Sequence, residues 1–220
     1  FLMGPAECND RNIPAYSEEF LAGLSKALGE EVVCAEMDEV KQQALPIYFI
    51  ASGGAERGFE AAYTETKEPY ILLTTPGYNS LAASMEIMGF LEEHGLKGEI
   101  LHGSHETIAK RLGVLKRVAE AKEKISHMKL GCFGSQGGLI ASDADFGSFQ
   151  KKCGAELVLF GLDELVAEYH KGGYPENQYT EELKAKGYDA AEVEKALNVY
   201  GAVKRLIEKY HLHGVTVKCF

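Results

Sequence analysis

Long apolar runs are missing from this chain of 220 residues. Stretches such as Ile47 to Ala51 are a handful of residues, far short of the roughly 20 that cross a bilayer as a helix. No membrane association is therefore expected. Cysteine pairs are missing as well. The five cysteines (Cys8, Cys34, Cys132, Cys153, Cys219) form no C-x-x-C motif, and an odd number cannot all be bridged. Reduced thiols in a cytoplasmic protein are the plain expectation, and no basic-then-apolar leader stands at Phe1 to suggest secretion. Basic charge is in deficit: Lys plus Arg number 23 against 33 Asp plus Glu, a net charge of −10. So acidic a chain has no electrostatic footprint for nucleic acid and no basic patch for anionic lipid. Neither G-x-G-x-x-G nor G-x-x-x-x-G-K-[ST] occurs, so a nucleotide site is not supported. There is no G-x-S-x-G elbow or Ser-His-Asp arrangement either.

What is present is ample apolar material, 45% of the residues, in an alternation of strand-like runs and helical periodicity. That alternation predicts an α/β fold with parallel sheets. Phe1 to Met3 reads as the remnant of a first strand. Ser17 reads as an N-cap with Glu18 and Glu19 behind it, and Phe20, Leu21, Leu24 and Leu28 form one apolar face ending at Gly29. Strands are predicted at 32–35, 47–51 and 70–73, then a helix from Asn79 or Ser80 to about His94 and a short strand at Ile100 and Leu101. Helix 106–125 repeats Ile108, Leu112, Leu115, Val118 and Ala119 at helical spacing.

After His127 the pattern restarts, which sets the expected domains at 1–127 and 128–220. A strand is predicted at 129–133, a glycine-rich turn at 134–138, and a helix over 143–152. A further strand at 157–160 leads to a short helix capped by Asp163. Gly172-Gly173-Tyr174-Pro175 reads as a flexible loop, and 189–210 as a long helix. Two Rossmann-like or flavodoxin-like parallel-sheet domains in tandem, each of three αβα layers, are the expectation. Val215 to Phe220 reads as a strand with nothing after it, so the chain is read as a piece of a longer polypeptide whose second domain is incomplete.

Three turn-rich loops follow predicted strands: Ser52-Gly53-Gly54, Thr74 to Asn79, and Gly134 to Gly138. Ligands collect at the carboxyl ends of strands in open α/β sheets, although tight turning alone explains each loop equally well. His102/His105 and His211/His213 place imidazoles close together, but zinc wants three or four ligands and no cysteine or carboxylate falls at a convincing offset. Structural or solvated roles are the simpler reading. The acidic doublets are simplest as solvated faces.

The run Lys129-Leu-Gly-Cys-Phe-Gly-Ser-Gln-Gly-Gly-Leu-Ile-Ala-Ser142, then Asp145-Phe146 and Glu156-Leu-Val-Leu-Phe-Gly-Leu-Asp-Glu-Leu165, resembles the second domain of the L-fucose/L-arabinose isomerase family. Upstream, Tyr70-Ile-Leu-Leu-Thr-Thr-Pro-Gly-Tyr-Asn-Ser80 and Ile100-Leu-His-Gly-Ser-His105 resemble loops of its first domain; His213 to Phe220 resembles the strand leading to its remaining portion. The family interconverts aldoses and ketoses through an ene-diol, with a divalent ion, usually Mn²⁺, polarising the sugar oxygens. The resemblance implies that the metal ligands, two acidic residues and a histidine, lie beyond Phe220. The chain itself is then expected to hold no cofactor and to lack isomerase activity alone. It further implies that Gln136 stands near the sugar, that Tyr78 and Asn79 touch substrate held by a neighbouring subunit, and that Arg11 offers a basic sugar contact. Such proteins are expected to be homo-oligomers, trimers or hexamers. Two other readings stay open: a two-lobed sugar-binding protein of periplasmic type, and a flavodoxin-like regulatory domain with a single sheet.

Overall fold

The computed structural model describes residues 2–3, 12–134 and 146–217. Within them the chain divides into two compact units, 1–121 and 122–220. The first unit runs β1 (Leu2–Met3), α1 (Asn12–Leu28), α2 (Met37–Val40), β2 (Ile47–Ile50), α3 (Glu56–Ala62), β3 (Tyr70–Thr74), α4 (Ser80–Glu93), β4 (Gly98–Leu101) and α5 (His105–Ser126). The second follows with β5 (Lys129–Phe133), α6 (Phe146–Cys153), β6 (Glu156–Phe160), α7 (Leu162–His170), α8 (Gln178–Lys184), α9 (Ala190–Tyr210) and β7 (Gly214–Val217). The division falls in the last turns of α5, ahead of the restart after His127.

In the first unit the strands run parallel in the order β1-β2-β3-β4. Side chains alternate across the sheet. Tyr48, Ile50, Tyr70 and Leu72 meet Phe59 of α3 and Ala83, Ile87 and Leu91 of α4 on one face. Phe49, Ala51, Ile71, Leu73 and Leu101 meet Phe20, Leu21 and Leu24 of α1 and Ile108, Ala109 and Leu112 of α5 on the other. All five residues of β3 are buried, which is why Tyr70 to Leu73 reads as an unbroken apolar run: a parallel strand covered on both faces has no polar side. The three αβα layers expected here are present.

The second unit has β5 between β6 and β7, all parallel. The strand read near the end of the sequence is thus seated beside β5 over Gly214–Val217. Phe133, Leu165, Ala202, Leu206 and Leu212 form its core, with the Phe133 and Phe160 rings stacked at 4.8 Å. Two separate sheets replace the single one that a lone flavodoxin-type domain would have.

Four local expectations are corrected. Helix α1 begins at Asn12, so Ser17 is not its cap; it lies inside the helix, buried, and its Oγ has no partner among the described residues. The helix can start earlier because Pro14 falls in the first turn, where backbone N–H groups have no intrahelical acceptor. Residues 32–35 form no strand: Val33 is 67% exposed, and the segment stands over a groove of about 580 Å³ lined by Leu24, Leu28, Val40, Leu45 and Leu112. A strand needs a neighbour to complete its hydrogen bonds, and the described edge of the sheet is the two-residue β1. Gly161, not Asp163, caps α7; Asp163 sits with Glu164 in the first turn, facing the positive helix end. The 172–175 loop is tied down: Gly173 N donates to Asn198 Oδ1 at 2.7 Å, and Arg205 donates to Gly173 O at 2.9 Å.

Helices α7 and α9 are joined by charge. Glu168, 6% exposed, accepts from Lys171 at 2.5 Å and from Arg205 Nε at 3.0 Å. Glu164 accepts from Tyr210 and from Lys209 at 3.0 Å. These bonds, that of Lys171 foremost at Glu168, hold its carboxyl below the ordinary 4.5. A folded value below the unfolded one gives stabilisation that is complete above the ordinary glutamate range and lost as pH falls through the lowered value. Arg205→Met is accordingly expected to melt below the parent chain at about pH 7, with the gap narrowing towards about pH 3. A gap constant across that range in thermal melts would contradict the charge pairing.

Candidate functional site

Helix α1 covers one face of the first sheet and α3 the other, so the connections leaving β1 and β2 part to opposite sides. In a parallel sheet that divergence opens a crevice at the carboxyl ends of the strands. Three loops border it, after β2 (51–55), after β3 (75–79) and after β4 (102–104).

Side-chain hydroxyls and backbone groups fasten these loops together. Ser80, fully buried at the start of α4, donates its Oγ proton to Ile50 O and accepts from Thr75 N at 2.9 Å. Gly53 N donates to Tyr78 O at 2.8 Å, joining the β2 loop to the β3 loop. Thr75 Oγ1 lies 3.2 Å from Gly77 O and 3.5 Å from Ala51 O, so its one proton faces carbonyls of both loops. Thr74, also fully buried, places Oγ1 at 3.2 Å from Leu101 O and 2.7 Å from His102 Nδ1, reaching the β4 loop. The register Ile50↔Thr74 and Leu73↔Leu101 sets these residues level with one another.

Tyr78 (φ 54°) and Asn79 (φ 57°) are consecutive residues in the left-handed region, which costs a residue with a Cβ about 1–2 kcal/mol. Asn79 caps α4 without a side-chain capping bond, and both side chains are exposed. The Tyr78 ring stands edge-on to Tyr16 of α1 at 5.1 Å, and Gly77 leaves the room that Tyr16 fills: a Cβ there would sit 3.1 Å from the phenol oxygen. The structure therefore brings the expected residues Tyr78 and Asn79 together with Ser52 to Gly54. Arg11 and Gln136 lie outside the described residues. Thr74 and Thr75 fall in the loop singled out from the sequence, and Ser80 and His102 in the stretches that carry the resemblance; sequence reasoning assigned none of the four a role here and missed Tyr16 altogether. The hydroxyl-rich run Thr74-Thr75-Pro-Gly-Tyr-Asn-Ser80 at a strand end was the available signal.

Of the two histidine pairs singled out from the sequence, the three members other than His102 have local roles. His105 packs tilted against the Phe20 ring at 4.9 Å and lies against Gly23. His211 ends α9 in the left-handed region, and His213 Nδ1 accepts from Lys129 N at 3.1 Å. The three loops carry no Asp or Glu, so this cluster does not fit Mn²⁺, a hard ion that prefers carboxylate oxygens. The hydroxyls of Ser52, Thr74, Thr75 and Ser80 are buried and taken up in holding the loops; what the cluster exposes to a neutral polar ligand is the Tyr78 phenol, the Asn79 amide, the Ser104 hydroxyl and the His102 imidazole.

No helix among the described residues is long and apolar enough to cross a membrane. No protein-family model matches the chain, and no curated protein matches it significantly.

Proposed function

We propose that this chain is the amino-terminal part of a cytoplasmic, metal-dependent aldose–ketose isomerase of the L-fucose isomerase type. It supplies scaffold, contacts for a trimer or hexamer, and part of a sugar pocket. The observation that supports this reading most is the fastening of the β2, β3 and β4 loops into one uncharged, hydroxyl-rich cluster with Tyr78 and Asn79 exposed on it. Sugars are neutral and bristle with hydroxyls, and such ligands are held by many modest hydrogen bonds rather than by a countercharge. The resemblance of Tyr70 to Ser80 and Ile100 to His105 to loops of that family points the same way. Under this reading Mn²⁺ and the proton-moving carboxylates belong to polypeptide beyond Phe220, and no step of the isomerisation is carried by the residues described.

Three measurements test it. Coding sequence past Phe220 is expected to specify two widely spaced acidic residues and a later histidine; a stop codon there overturns the isomerase reading. Mn²⁺ is expected to leave the melting temperature of the 220-residue chain unchanged, because only a ligand that binds the native state raises it. A rise at modest metal concentration contradicts the assignment of the ligands. Tight binding of L-fucose or L-arabinose by the chain alone, seen in calorimetry, would favour a complete sugar-binding protein.

A further inference from the structure

The buried hydroxyl of Thr74 has one proton and two partners. Leu101 O, at 3.2 Å, has no proton to give, so that bond forms only if Thr74 donates it. The bond to His102 Nδ1, at 2.7 Å, then requires the threonine oxygen to accept, and Nδ1 must carry the hydrogen. In neutral imidazole a proton on Nδ1 leaves a lone pair on Nε2. His102 is exposed, and its Nε2 has no hydrogen-bond partner among the described residues.

We propose that Thr74 fixes His102 in the Nδ1–H tautomer, so that Nε2 stands at the carboxyl end of the sheet as a neutral acceptor for a hydroxyl group of a polyhydroxylated ligand. The ligand class rests on the reading of this cluster as part of a sugar pocket; the tautomer does not. Thr74 is a positioning residue, because it acts through the imidazole. Its own location is well suited to that: as the last residue of β3 and fully buried, it is held by the sheet rather than by a loop. The arrangement complements the rest of the cluster. The exposed Tyr78 phenol and Asn79 amide can donate as well as accept, Nε2 adds an uncharged group that only accepts, and a sugar hydroxyl both gives and takes a hydrogen bond.

The test is long-range nitrogen–proton correlation spectroscopy on the chain labelled at histidine, at about pH 8, above the usual imidazole range. His102 is expected in the Nδ1–H form in the parent chain and in Thr74→Ser, which keeps the hydroxyl. Thr74→Val is expected to shift it towards the Nε2–H form that free imidazole prefers. Titration with L-fucose at high concentration is expected to move the Nε2 resonance of the parent chain, and to move it less in Thr74→Val. An Nε2–H tautomer in the parent chain, or a tautomer indifferent to Thr74→Val, overturns the positioning role. An Nε2 resonance that ignores the sugar overturns the acceptor role. A stop codon after Phe220 would remove the isomerase reading while leaving all of these spectra as they are, so the two failures are told apart.

Discussion

Phe59→Ala is expected to destabilise the first unit by about 3–5 kcal/mol, the range for deleting a fully enclosed aromatic ring. Phe59 is 1% exposed and meets three rings. It meets Tyr48 edge-on at 5.0 Å and Tyr70 at 5.7 Å, and stacks on Tyr63 at 6.1 Å, which in turn meets Phe90 at 5.2 Å. Aromatic pairs of this kind add about 0.5–1.5 kcal/mol beyond the area they bury, and the helix backbone on one side and the sheet on the other cannot close over the vacated space. Urea unfolding is expected to show a lower midpoint at nearly constant slope. Val33→Ala, at a site 67% exposed, serves as the control and should stay within about 0.5 kcal/mol. Equal losses in the two variants would mean that the α3–α4 face is not packed as described.

Gly201→Val is expected to cost the second unit about 3 kcal/mol or more. A Cβ at this position of α9 would stand 2.0 Å from Gly173 O and 2.9 Å from both Gly173 C and Tyr174 Cα. Those are backbone atoms of a loop already held by Asn198 and Arg205, so either the loop leaves α9 or the helix leaves α7. Because the 172–175 loop is anchored through the same Arg205 that pairs with Glu168, the damage should spread along the α7–α9 contact. Hydrogen exchange read by mass spectrometry is expected to show lost protection in α7 and α9 and unchanged protection in β2 and β3. Protection preserved in α7 and α9 would show that the loop is not seated against Gly201.

How far these features could be foreseen depends on how local their causes are. Strand β3 and helix α5 were legible because a run of apolar residues, or Ile108, Leu112 and Ala119 at helical spacing, carries its own evidence. The start of α1 was not, because Ser17 followed by two glutamates imitates a cap, whereas Asn12 to Pro14 makes a first turn only once the helix exists. Helix α8 escaped as well: it is short and polar, and its one signal is Asn177, whose side chain accepts from Tyr179 N and Thr180 N while Thr180 Oγ1 answers Asn177 N. Residues 32–35 look like a strand to any local rule, yet strand formation is decided by a neighbour. The site divides in the same way. That Tyr78 and Asn79 lie in a loop after a strand is written in the sequence. That Gly53 binds Tyr78, and Thr74 binds His102, follows from strand order and register, which no window of a few residues contains.

The consecutive left-handed residues at 78 and 79 have a consequence for any ligand that arrives there. The chain meets the conformational cost of that turn when it folds, with the sheet, Ser80 and Gly53 as the restraints, so this surface is pre-organised. Association on such a surface proceeds with little loss of chain entropy, and affinity can be built from contacts that are individually weak.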